Sequence, residues 1–227
     1  MTGSELRTGR KARGWTQTAL AERLGVSQGY VCLLERAQRP VPTALGLKLA
    51  RLLNLPATAV PVGSASTALA DEAATTALAT LGYPGFAYRR LRHRLNPAEV
   101  LFRTLKSPEL DARLVEALVW LAVTYADLNW AWAVRQAKVE DLQNRLGFLV
   151  TLARQLAEQK GHPEAVAALT TAEQALEYSR LQREDVFRAS MTEAERRWLR
   201  EHRPPEAMRW NVLTNLTASE LGRGFEG

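Results

Sequence analysis

Between Ser27 and Arg36 the sequence reads SQGYVCLLER, a polar start followed by an apolar run. The side-chain amide of Gln28 carries a donor and an acceptor side by side, the pairing that fits the N6 and N7 edge of adenine. On a helix that begins here, Val31 and Leu34 turn inward together with Val26 of the preceding turn. Ser27, Gln28, Gly29, Cys32, Leu33 and Arg36 are left on the outer side. Gly29 allows close approach, and Leu33 offers apolar contact alone, of the kind a thymine methyl group accepts. Other chemistry is scarce. The three histidines, His93, His162 and His202, are far apart, and Cys32 is the single thiol. No Cys-x-x-Cys or His-Glu-x-x-His spacing occurs, so neither a metal site nor a cofactor is expected. No phosphate-binding loop with an attached lysine is present, and the expectation is a protein that is not an enzyme.

Short capped helices must hold these residues in place. Ser4 to Arg13 reads as a helix. Thr16 can N-cap QTALAERL, Gly25 supplies a turn with positive φ, Ser27 can N-cap the next helix, and Pro42-Thr43 opens TALGLKLARLL. Ala21 is small enough for two helices to cross steeply. Leu20, Ala21, Leu24, Val26, Val31, Leu34, Leu45, Leu49 and Leu52 fall at helical spacings that converge on one small core. Residues 1–56 hold nine Lys and Arg against three Asp and Glu, which accounts for the whole formal excess of +6, since later charges cancel. That is the electrostatic footprint of a module that meets a polyanion; the alternative is an ordinary solvated basic surface.

In this order and spacing, Arg10, Gly14-Trp15-Thr16-Gln17, Leu20-Ala21, Leu24-Gly25-Val26-Ser27, Leu34-Glu35-Arg36 and Leu49-Ala50 resemble the helix-turn-helix of the Xre or Cro family. That is the DNA-binding domain of lambdoid phage repressors and many bacterial regulators, and the likeness covers about a quarter of the chain. The resemblance implies a lambda-repressor-like domain over residues 1–56, with base readout by Ser27, Gln28, Gly29, Cys32 and Leu33. It implies phosphate contacts from Thr16 and Gln17 at the start of the first motif helix, with Arg13, Arg36 and Arg39 adding charge. Tyr30 is either a phosphate contact or the rim of the core. Arg10 and Glu35 match the family's internal salt bridge, a structural role. Leu33 departs from the polar reader that related phage repressors often carry, and Ala37 stands where the family usually has glycine after the Glu. Cys32 reads as a small packing residue rather than a redox sensor.

Beyond this domain, residues 57–66 break the pattern with Pro, Gly, Ser and Thr and read as a linker. Residues 67–227 read as a second, larger α-helical bundle. It has a helix to about Leu81, a GYPG turn, FAYRRLRHRL, helices opened by Asn96-Pro97 and Ser107-Pro108, long helical patterns to Lys160, a helix over Glu164 to Gln182, and a Thr192-capped EAERRWLREH stopped at Pro204-Pro205. No alternating strand pattern occurs, so the fold class is all-α. The apolar window Ala117 to Val134 carries Asp127 and Asn129, which favours a buried helix over a membrane span. Its Trp120, Tyr125, Trp130 and Trp132 read as core, with a dimer interface or an aromatic pocket as the alternative. The segments NRLGFLVTLARQLAEQ and EAVAALTTAEQALEYSRL faintly resemble one tetratricopeptide unit. The basic run Arg89 to Arg94 is either a solvated helix face or a contact to flanking phosphates or an acidic partner.

The N-terminal residues form no apolar signal core, and a lone thiol forms no internal disulfide, so the chain is expected to be cytoplasmic, with no membrane partner. One helix-turn-helix reads only a few base pairs. The expected partner is therefore double-stranded DNA with a palindromic operator, bound by a homodimer whose half-sites lie about 34 Å apart. Three roles remain open: a repressor whose helical domain dimerises and receives a signal, an antitoxin-like protein that neutralises a partner and autoregulates, and a peptide-sensing regulator.

Overall fold

The computed structural model describes residues 1–63, 67–86 and 95–222, which fall into two compact units. The first takes residues 1–63 together with Leu95 and Asn96. The second takes residues 67–86 and 97–222. The basic run Arg89 to Arg94 lies outside the described residues.

The first unit is built from α1 (Gly3–Ala12), α2 (Gln17–Leu24), α3 (Gln28–Glu35) and α4 (Thr43–Leu53), followed by a 3-10 turn, Ala57–Ala59. Helix starts follow the caps. Thr2 and Glu5 form a reciprocal capping box on α1, one residue earlier than the sequence suggests. Thr16 Oγ1 accepts from the Ala19 amide at 3.0 Å, and Ser27 Oγ accepts from the Tyr30 amide at 3.2 Å. Gly25 ends α2 in the left-handed region at φ 74°, where only glycine is unstrained. The core gathers Leu6, Leu20, Ala21, Leu24, Val31, Leu34, Leu49 and Leu53, with Val26, Leu45 and Leu52 packed at its edge.

The expected linker, residues 57–66, begins inside this unit. Ala57, Ala59 and Val60 are buried, and the Asn96 side chain, 3% exposed, donates to the carbonyls of Thr58 and Val60 at 3.1 and 2.5 Å. The Pro and small residues that break helical periodicity there form a compact turn against the core.

The second unit comprises α5 (Asp71–Leu81), a 3-10 turn at Pro84–Phe86, α6 (Pro97–Leu105), α7 (Ala112–Thr124), α8 (Trp130–Val139), α9 (Gln143–Gln159), α10 (Pro163–Glu177), α11 (Glu193–His202), α12 (Pro205–Arg209) and α13 (Ala218–Gly222). Among the described residues the fold is all-α apart from an isolated bridge between Glu109 and Arg188 and a two-residue parallel pair, β1 (Asp185–Val186) with β2 (Val212–Leu213), too short to leave an alternating pattern in the sequence.

Two expected helices are corrected. The Ser107-Pro108 start is replaced by Asp111, whose carboxylate caps α7 at 2.7 Å. Residues 108–110 instead run beside residues 187–189, with Leu110 N bonded to Phe187 O and Ala189 N to Pro108 O, both at 2.7 Å. The apolar window Ala117 to Val134 is two helices, because Asn129 accepts from the Trp132 amide at 3.0 Å and starts α8 there. Among the described residues no helix is long and apolar enough to cross a membrane.

Helices α9 and α10 make the most extensive helix contact of the unit. Trp210, fully buried, packs on Gly147 and donates to Thr151 Oγ1 at 2.8 Å. Thr151 in turn donates to the buried Glu173, which also accepts from Arg154 at 2.6 Å and Arg209 at 2.8 Å. Of the four clustered aromatic residues Trp132 is buried, and Trp120, Tyr125 and Trp130 are half-buried. Trp120 packs edge-on against Tyr83 and Tyr125, Trp132 packs against Phe102, and Trp130 donates to the Ala126 carbonyl at 2.9 Å.

Candidate nucleic-acid interface

Helices α2 and α3 are joined by the Gly25-Val26 turn, whose two amides both return to the Ala21 carbonyl at 2.9 and 3.0 Å. The turn fixes the angle at which α3 leaves the core. Val31 and Leu34 are buried, so rotation about the helix axis is fixed as well. Ser27, Gln28, Gly29 and Arg36 are exposed, and Cys32 and Leu33 are half-buried on the same outer side. Thr16, Arg13 and Arg39 are exposed, Gln17 is half-buried, and Tyr30 is half-buried with its ring against the core. The outward set is the one that the helical spacing implies.

Packing also builds a polar chain beneath this surface. Arg10 Nε donates to Glu35 Oε1 at 2.5 Å, Arg10 Nη2 to Glu35 Oε2 at 3.0 Å, and Arg10 Nη1 to the Trp15 carbonyl at 2.6 Å. Gln17 Nε2 donates to Glu35 Oε2 at 2.9 Å, and Gln28 Nε2 donates to Gln17 Oε1 at 2.7 Å. The direction of this chain is set at its buried end. A carboxylate only accepts, so Gln17 must turn its nitrogen to Glu35. Its oxygen then faces Gln28, which must present nitrogen. One N–H of Gln28 is spent. Its second N–H and its oxygen remain, the pair that meets adenine N7 and N6.

Burial pushes the Glu35 carboxyl up, but hydrogen bonds from Arg10 and Gln17 and the charges of Arg10 and Arg7 outweigh it. The carboxyl therefore lies below its ordinary range. The hydrogen bond to Glu35 likewise raises the Arg10 guanidinium above its ordinary value. Both partners are charged, and Glu35 is a fixed acceptor for Gln17.

The sequence reading placed Gln17 at the phosphates and did not foresee its amide bonded to both Glu35 and Gln28. Those partners lie 18 and 11 residues away, beyond any local periodicity. Two further supports were also missed. Lys48 Nζ donates to the Leu24 carbonyl at 3.1 Å, closing the end of α2 from α4, and the Arg23 guanidinium lies 4.3 Å from the Trp15 ring centroid.

Comparison with known proteins bears on the fold of the first unit. Residues 3–61 match the family described as a helix-turn-helix domain, so the first unit is a helix-turn-helix of the Xre/Cro-like type. No curated protein and no solved structure matches the chain. A helix-turn-helix here supports a DNA-binding regulator.

Proposed function

We propose that this protein is a sequence-specific transcriptional regulator, a dimeric repressor that binds a palindromic operator through α3, with the second unit serving dimerisation and signal input. The observation that carries the DNA-reading role is the one-way hydrogen-bond chain from Arg10 through Glu35 and Gln17 to Gln28. It holds an amide on the exposed N-terminal turn of α3 in a single polarity. Such an amide discriminates adenine from other bases because a flipped one would present the wrong donor and acceptor.

In the complex, Gln28 reads a base edge while the amides at the start of α2, with Arg13, Thr16, Arg36 and Arg39, hold phosphates. Tyr30, half-buried with its ring against the core, adds at most a rim contact. A dimer places two such helices about 34 Å apart, one turn of the duplex. Occupying a promoter in this way excludes polymerase.

Fluorescence anisotropy on the DNA upstream of the protein's own gene, beside random DNA and at several salt concentrations, tests the reading. Specific binding with a steep salt slope is expected. Gln28→Ala should relax discrimination by about 1–3 kcal/mol. Arg36→Ala should weaken binding to both DNAs and lower the salt slope by about 0.9. Equal weak binding to both DNAs would overturn the self-operator, and a Gln28→Ala protein with intact discrimination would overturn the assigned reader.

A further inference from the structure

Helix α11 is held to the second unit by one side. Leu199, 8% exposed, is its buried residue. Arg200 binds Glu184 at 2.9 Å and Glu193 at 3.1 Å, Glu195 binds Arg188 at 3.1 Å, and Arg196 donates to the carbonyls of Ala189 and Met191 at 3.1 and 3.2 Å. Ala194, Arg197, Trp198, Glu201 and His202 stand at i, i+3, i+4, i+7 and i+8 and form a separate stripe that is exposed along its whole length. Trp198 lies at the middle of it, 50% exposed, with its ring stacked on that of His202 at 4.3 Å between centroids. His202 Nδ1 donates to the Trp198 carbonyl at 2.7 Å, which fixes the stack. Arg197 and Glu201 lie beside the indole. Among the described residues they are the two Arg and Glu side chains of α11 that make no ion pair or hydrogen bond. They are four residues apart and do not pair with each other, in keeping with the less favourable order of base before acid along a helix.

An indole in water beside two unspent, opposite charges is a self-complementary surface, the requirement for a contact between two identical chains. On an antiparallel copy of α11 with the two-fold axis at Trp198, the two indoles meet and the small Ala194 lies opposite His202 of the second copy. Arg197 then stands about two residues, or about 3 Å along the helix, from Glu201 of the second copy, within reach of both long side chains. A parallel copy would set Arg197 against Arg197 and Glu201 against Glu201. We propose that the Trp198 stripe of α11 is the contact by which a second copy of this chain joins it, antiparallel about Trp198, with Arg197 and Glu201 paired across the axis. The proposal rests on the reading of the regulator as a dimer, and it places that dimer's contact. The stacked rings are already ordered, so little side-chain freedom is lost when the two copies meet.

Sedimentation equilibrium of the full-length chain tests the contact. Wild type should dimerise with a dissociation constant on the order of micromolar, since a pair of short helices buries little area. Arg197→Glu and Glu201→Arg each make both cross-axis pairs repulsive and should raise that constant about tenfold or more. Mixed in equal amounts, these two variants should form a heterodimer of near wild-type strength, because every cross-axis pair then joins an acid to a base. The double variant, Arg197→Glu with Glu201→Arg, should recover the dimer for the same reason. Trp198→Ala should raise the constant at least about thirtyfold, the loss that follows removal of a central aromatic anchor. All of these side chains lie at the surface, so melts followed by circular dichroism should stay near the wild-type Tm.

A wild type that stays monomeric at every concentration would overturn the contact together with the dimeric reading. A dimer that withstands Trp198→Ala and both charge reversals would overturn the α11 contact alone and leave the dimeric reading standing. Single variants that dissociate but fail to combine on mixing would overturn the antiparallel pairing of Arg197 with Glu201.

Discussion

Replacing Arg10 with methionine keeps most of the side-chain volume and removes the counter-charge of Glu35. The two side chains are 10% and 3% exposed, and Arg10 makes two hydrogen bonds to the carboxylate and one to the Trp15 carbonyl. Removing one partner of a buried pair leaves the other charge unpaired, at a cost of about 3–5 kcal/mol. A domain of about 60 residues sits near the low end of protein stabilities, about 5 kcal/mol, so Arg10→Met should leave the first unit barely folded. Arg10→Met with Glu35→Leu removes both charges and should recover most of that loss.

The pH dependence should also reverse. In the wild type the Glu35 carboxyl is lowered from 4.5, so its contribution is complete above that value and is lost as pH falls through the folded value. In Arg10→Met burial dominates and raises the carboxyl, so this group's contribution grows as pH falls. Urea melts followed by fluorine NMR of 5-fluorotryptophan-labelled protein resolve the first unit through Trp15, since the other five tryptophans lie in the second unit. The folded double variant should bind DNA with little sequence preference, because Gln17 has lost its fixed acceptor. A single-variant cost below about 1 kcal/mol, or a double variant no more stable than the single, would refute the assignment of a buried pair. Full discrimination in the double variant would refute the orientation of Gln28 through Glu35.

Two further substitutions probe the backbone and the second unit. Ala37 closes α3 at φ 55°, with its amide bonded to Leu34 O at 3.1 Å and the Gln38 amide to Leu33 O at 2.9 Å. A left-handed non-glycine residue costs about 1–2 kcal/mol, and glycine gives back part of that through unfolded-state entropy. Ala37→Gly should therefore stabilise the first unit by about 0.5–1 kcal/mol, read as a rise in Tm of a few degrees, and an unchanged or lower Tm would contradict it. Gly147→Ala places a Cβ into the fully buried Trp210 indole, which is held by Thr151, and should cost the second unit about 1–3 kcal/mol in chemical melts while leaving the Trp15 signal unchanged. Wild-type stability in that variant would mean that Trp210 is free to shift.

Local signals were legible in the sequence because they act within one turn of chain. Thr16 and Ser27 cap the helices that follow them, Gly25 takes the one left-handed position between α2 and α3, and the inward set Leu20, Leu24, Val31 and Leu34 follows helical spacing. Ala37 was legible as a departure from the family pattern, and it takes a left-handed φ of 55° at a cost in strain. The outer set on α3 follows from the same period. Residues 57–60 misled, because Pro and small residues read as linker whether they cross solvent or fold into a buried turn; the Asn96 clamp that distinguishes the two lies 36 and 38 residues away. The Ser107-Pro108 helix start failed because pairing with residues 187–189 outcompeted a local signal.

Tertiary structure alone decided the polarity of the Gln28 amide. Gln28 could present either end on any exposed helix, and the packing of α1, α2 and α3, which brings Arg10, Glu35, Gln17 and Gln28 into one chain, leaves a single arrangement in which each link pairs a donor with an acceptor.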